Sequence, residues 1–114
     1  NFLTGAGGYV QNLVNGYAGL RYDAQGLRLL PVLPPDGARR AVLRAVAFAG
    51  ARITFDYDAE ELRATLVGEG DGALQIMCVG ESTRAQHLGL NRVVALQRSD
   101  GLEFRVSVMH THTV

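Results

Sequence analysis

Two different spacings of apolar residues run along this chain. Val10, Leu13, Val14 and Tyr17 fall at i, i+3, i+4 and i+7, the stripe of one helical face. Thr4 can cap the start, and Gly16 after Asn15 can end the run in a left-handed conformation. The spacing predicts a helix over about residues 6–16. Gly5, Gly7 and Gly8 oppose it, since a glycine costs about 1 kcal/mol against alanine in a helix interior. They need a reason other than helix propensity.

After Gly19 the period changes from that of a helix to that of strands. Leu27, Leu29 and Val32 read as strand material, until Pro31, Pro34 and Pro35 forbid a regular central strand and Asp36-Gly37 makes a turn. Short apolar or alternating runs then recur at Val42 to Phe48, Arg52 to Tyr57, Leu62 to Val67, Ala73 to Val79, Arg92 to Leu96 and Phe104 to Met109. Gly50, the stretch Gly68-Glu69-Gly70-Asp71-Gly72, Gly80, Gly89 and Asp100-Gly101 separate them. Ile53, Phe55 and Tyr57 alternate with Thr54 and Asp56, the mark of a strand with one buried face. About seven or eight strands at this spacing predict a mainly β fold, an antiparallel sandwich or jelly roll, preceded by one helix.

Composition narrows the function classes. At 114 residues the chain holds one compact domain. Its 47% apolar and 19% charged residues are those of a globular chain. Eleven basic residues, all arginine, balance eleven acidic ones. Zero net charge argues against a nucleic-acid partner, which asks for a positive excess. No apolar run approaches bilayer length, so no membrane partner is expected, and no secretory signal is visible. One cysteine excludes an internal disulfide framework. The chain opens Asn1-Phe2-Leu3 without methionine, as a piece of a longer protein would.

Candidate chemistry is sparse. His110 and His112 would point the same way on a strand, but a zinc site wants three or four ligands and His87 is distant in sequence. Cys78 lies in the apolar run Ile76 to Val79 and reads as a small buried hydrophobe. No metal or cofactor is expected. Glycoside hydrolysis needs two carboxyl groups. The pairs available are Asp56 with Asp58, Glu60 with Glu61 in an apparent hairpin turn, and Glu69 with Asp71 in the glycine-rich loop. Each reads more simply as a solvated strand face or a turn former.

The segment Thr4-Gly5-Ala6-Gly7-Gly8 carries more information. Glycines let a backbone approach a ligand closely, and the first turn of a helix leaves N–H groups free. Together they would make an oxygen- or anion-binding corner. It is no Walker loop, lacking the Gly-Lys-Ser/Thr ending, and no dinucleotide fingerprint, lacking a preceding strand. Close helix packing accounts for the glycines equally well.

The run from Asn1 through Gln11, continuing as Gly16-Tyr17-Ala18-Gly19-Leu20-Arg21, resembles the end of the catalytic domain in glycoside hydrolase family 65. The likeness is strongest to the branches acting on trehalose and on glucosyl-galactosyl-hydroxylysine. Leu29, Pro31, Leu33 and Pro34 resemble the start of the family's C-terminal sheet domain. The resemblance implies that residues 1–18 are the last helix of an (α/α)6 catalytic barrel and residues 19–114 a C-terminal β-sandwich packed on it. It implies that Thr4, Gly5, Ala6, Gly7 and Gly8 edge the pocket for an α-glucoside substrate, and that the general acid, a Glu, lies on an earlier segment. The chain alone would then be inactive. Family members invert the anomeric carbon as hydrolases or phosphorylases. Phosphorylases carry a phosphate-holding Ser where this chain has Gly5, with Thr4 adjacent, which favours the hydrolase. A disaccharide phosphorylase and a stand-alone sugar- or protein-binding sandwich stay open as alternatives.

Overall fold

Ile53, Phe55 and Tyr57 stand fully buried on one face of a strand, while Thr54 and Asp56 lie half-buried on the other. Period-2 alternation produces this division wherever one sheet face meets a core. The structure, a computed structural model, describes residues 4–6, 9–11, 19–33, 37–80 and 84–109, the first two stretches as backbone. Its strands are β1 (Thr4–Ala6), β2 (Tyr9–Gln11), β3 (Arg21–Asp23), β4 (Gly26–Leu29), β5 (Arg40–Phe48) and β6 (Ala51–Asp58). They continue with β7 (Glu61–Gly68), β8 (Leu74–Cys78), β9 (Gln86–Leu88), β10 (Val93–Gln97) and β11 (Phe104–Val108).

Two sheets form, one of six strands in the order β1-β2-β5-β6-β7-β10 and one of five in the order β3-β4-β11-β8-β9. The pairings are antiparallel, except for β2 with β5 and an isolated parallel bridge between Leu66 and Leu90. One core lies between the sheets. Leu43, Phe55, Tyr57, Leu62 and Leu96 enter it from the larger sheet, and Leu27, Leu29, Leu74, Ile76, Phe104 and Val106 from the smaller. Each such side chain contributes about 1.5–3 kcal/mol on burial. The expected antiparallel β-sandwich is what the chain forms.

Local chemistry sets the turns. Ala49 (φ 51°) and Gly50 (φ 78°) make the two-residue link between β5 and β6, both in the left-handed region that such hairpins require. Asp58 Oδ1 accepts the N–H groups of Glu60 and Glu61 at 2.8 and 2.9 Å, which shapes the β6–β7 turn. A bulge between Leu43 and Val46 leaves Ala45 at φ 52°, and its N–H donates to Thr54 Oγ1 at 3.1 Å. Strand β4 stops at Leu29, two residues before Pro31, so Val32 lies outside the strands.

The helix expected over about 6–16 is not seen at Tyr9–Gln11, which pair as β2 with Arg40–Val42 of β5. Most of the rest of that span lies outside the described residues. Gly5 pairs with Val10 in the same sheet.

Candidate functional site

Each carboxylate pair meets a distinct fate in the fold. Asp56 and Asp58 project from β6 on the outer face of the six-stranded sheet, where Arg63 of β7 joins them. The Arg63 guanidinium reaches Asp56 at 3.3 Å, Asp58 at 3.2 Å and Glu61 at 2.7 Å. Arg40 of β5 adds a two-point pair with Asp56, through Nε at 2.8 Å and through Nη2. Burial works to raise the Asp56 pKa, but hydrogen bonds from Arg40 and Arg63 outweigh it and hold the carboxyl below its usual range. The N–H of Glu60 does most to lower Asp58. A general acid needs the opposite shift. These carboxylates are therefore ion-pair and turn groups, and Glu61 joins them as a ligand of Arg63.

Glu69 and Asp71 are exposed on the β7–β8 loop and line a hollow of about 370 Å³ that His87 of β9 also borders. Gly70 between them seats the loop on the β5–β6 hairpin, where an added Cβ would lie 2.4 Å from the Ala49 carbonyl. Cys78 is buried on β8, as its apolar neighbours predict. His110 and His112 lie outside the described residues. Among the described residues no group of three His, Cys, Asp or Glu is placed to hold a metal ion.

Of the glycine corner, Thr4, Gly5 and Ala6 form β1, the outermost strand of the six-stranded sheet, paired with Gln11, Val10 and Tyr9. Gly7 and Gly8 lie outside the described residues.

Arg98 is the group that residue-by-residue reading misses. It is 5% exposed, and its guanidinium donates to the carbonyls of Asp58 and Pro31, each at 2.8 Å, and to Asp100 at 3.1 Å. Extending the alternation of Val94 and Leu96 by one step would have turned it inward. On the outer face of the smaller sheet Arg28 holds Glu103 through two hydrogen bonds of 2.7 and 2.8 Å, and hydrogen bonding to Arg28 lowers the Glu103 pKa.

Among the described residues, then, Asp56, Asp58 and Glu103 are held in ion pairs and turns. Comparison with known proteins supplies a direction. Over 63 residues the chain is 36% identical to protein-glucosylgalactosylhydroxylysine glucosidase of Gallus gallus, covering 55% of this chain and 9% of the relative. The likeness is to a glucosidase. The protein of the same name from Danio rerio is 33% identical over 66 residues, covering 58% of this chain and 10% of its own. The chain thus spans about a tenth of the length of these curated relatives. No family model matches, and no solved structure does.

Proposed function

We propose that this chain is the C-terminal part of an inverting glycoside hydrolase of family 65 acting on an α-glucoside, of the glucosyl-galactosyl-hydroxylysine or trehalose type. The observation that carries the reading is the 36% identity over 63 residues to a named glucosidase.

In the longer protein residues 1–18 complete the helical barrel, with the stripe Val10, Leu13, Val14 and Tyr17 against neighbouring helices. Thr4 to Gly8 then edge the sugar pocket, where bare backbone admits the ligand. A Glu elsewhere in the protein protonates the glycosidic oxygen, and a base-activated water attacks the opposite face of the anomeric carbon. The residues of this chain take no proton in that sequence. They shape the pocket edge and cap the barrel with a folded domain. The phosphorylase reading is less favoured, because Gly5 offers no hydroxyl to a phosphate and both relatives are named as glucosidases.

The full-length protein should release glucose from an α-glucoside, and the 114-residue chain should release none. Phosphate-dependent formation of glucose 1-phosphate would instead support the phosphorylase.

A further inference from the structure

The β3–β4 turn, the β5–β6 hairpin, β8 and β11 together line a cleft of about 680 Å³. Sites for small molecules span about 300–1,000 Å³. Tyr22 closes the gap between the sheets nearby, its hydroxyl donating to the Ala47 carbonyl at 2.7 Å. Asp23, Gln25, Phe48, Gln75, Ser107 and Val108 give the cleft its chemistry.

The polar groups are partly engaged, and what they leave open is informative. Asp23 Oδ1 is taken by the N–H groups of Gln25 at 2.8 Å and Gly26 at 3.1 Å, while Oδ2 has only a long 3.5 Å contact to Arg28. Gln75 Nε2 donates to Ser107 Oγ at 3.2 Å. That bond leaves the serine hydroxyl free to donate and Gln75 Oε1 free to accept. The amide of Gln25 is exposed beside them. Half-buried Phe48 and Val108 supply an apolar wall.

This set selects a ligand class. Among the described residues no arginine lines the cleft and a carboxylate does, which disfavours an anion. A lone carboxylate with two amides is a poor cation cage. Several neutral donors and acceptors disfavour a purely apolar ligand, whose binding would leave them unpaired. A pyranose offers alternating hydroxyl donors and acceptors together with a C–H face that packs on an aromatic ring. We propose that this cleft binds a neutral sugar unit, held by Asp23, Gln25, Gln75 and Ser107 with Phe48 beneath it.

The test is a titration of the 15N-labelled 114-residue chain with D-glucose, with D-galactose and with inorganic phosphate, followed by amide chemical shifts. The expected result is saturable shifts with a sugar, confined to the amides around Gln25, Ala49, Gln75 and Ser107, and none with phosphate. Gln75→Ala and Phe48→Leu should each weaken the binding by about tenfold. Arg39→Ala, beyond the other end of β5, should leave it unchanged. Shifts that grow linearly with sugar, saturation by phosphate alone, or equal affinity in Gln75→Ala and Phe48→Leu would each overturn the proposal. Should Gln75→Ala lose the dispersed spectrum of the folded chain, Phe48→Leu decides by itself.

Discussion

Arg98 lies with its guanidinium carbon 5.5 Å from the centre of the Tyr57 ring, and the two side chains hold adjacent residues of one segment. Arg98 donates to the Pro31 carbonyl at 2.8 Å and the Tyr57 hydroxyl to the Val32 carbonyl at 2.9 Å. Prolines keep this segment out of the sheets, so its carbonyls need partners from elsewhere. Buried Arg98 and buried Tyr57 provide them, and Arg98 also ties down the β6–β7 turn through Asp58.

Arg98→Leu should therefore cost about 2–4 kcal/mol in urea unfolding, because hydrogen bonds to a charged donor contribute about 1.5–3 kcal/mol each. Arg98→Lys should recover little, since one ammonium cannot serve both carbonyls in the fork geometry of a guanidinium. Tyr57→Phe should cost about 1 kcal/mol. Additive effects in the double variant would show that the two side chains act independently.

Stability should fall at both ends of the pH range. Burial pushes the Tyr57 hydroxyl up from 10.0 to about 12. The unfolded chain then loses this proton first, so stability is full below pH 10 and declines as pH rises toward 12. Tyr57→Phe should remove that part of the alkaline decline. On the acid side Asp56, Asp58 and Glu103 lie below their ordinary values of 3.8, 3.8 and 4.5. Their contribution is present above those values and is lost as pH falls through the lowered ones. Thermal melts across pH check both limbs.

Gly70→Ala should destabilise by about 1–3 kcal/mol. Its Cβ would lie 2.4 Å from the Ala49 carbonyl and 2.8 Å from the Ala51 nitrogen, and backbone on both sides has little room to yield. At Gly68 the nearest atoms are side-chain carbons of Arg52 at 3.4 Å, so Gly68→Ala should be nearly neutral. Equal melting temperatures for the two variants would contradict the packed loop.

Gly7→Val in the full-length protein should lower kcat/KM strongly and the melting temperature only modestly, if the glycine segment edges the sugar pocket. Where the glycines serve close packing, the order reverses, because added methyl groups overpack a contact at about 1–3 kcal/mol. Both quantities measured on one variant separate the two roles.

Much of the fold is legible in the sequence because its core strands alternate. The run expected at Arg52 to Tyr57 is β6, and that at Leu62 to Val67 is β7, each within one residue at either end. Strands β3 and β9 escape the same reading for a physical reason. Arg21–Asp23 is exposed throughout and Gln86–Leu88 buries only Leu88, so neither carries a period. Of the helical stripe at Val10 to Tyr17, Tyr9–Gln11 pair with a neighbouring strand, while residues 12–18 lie outside the described residues. At Arg98 the alternation of Val94 and Leu96 points inward while its charge signals a surface, and only the tertiary structure gives its guanidinium the carbonyls of Asp58 and Pro31. For Thr4 to Gly8 spacing alone leaves a pocket edge and a packing contact equally open, since glycines serve both, and only the resemblance favours the pocket edge.

The most direct measurement follows the anomeric protons of released glucose by NMR, with the full-length protein and an α-linked glucosyl-galactosyl-hydroxylysine or trehalose as substrate. The account predicts β-glucose as the first product, appearing before mutarotation, and no release by the 114-residue chain alone. First appearance of the α anomer, absence of glucose with either substrate, or turnover by the isolated chain would contradict it.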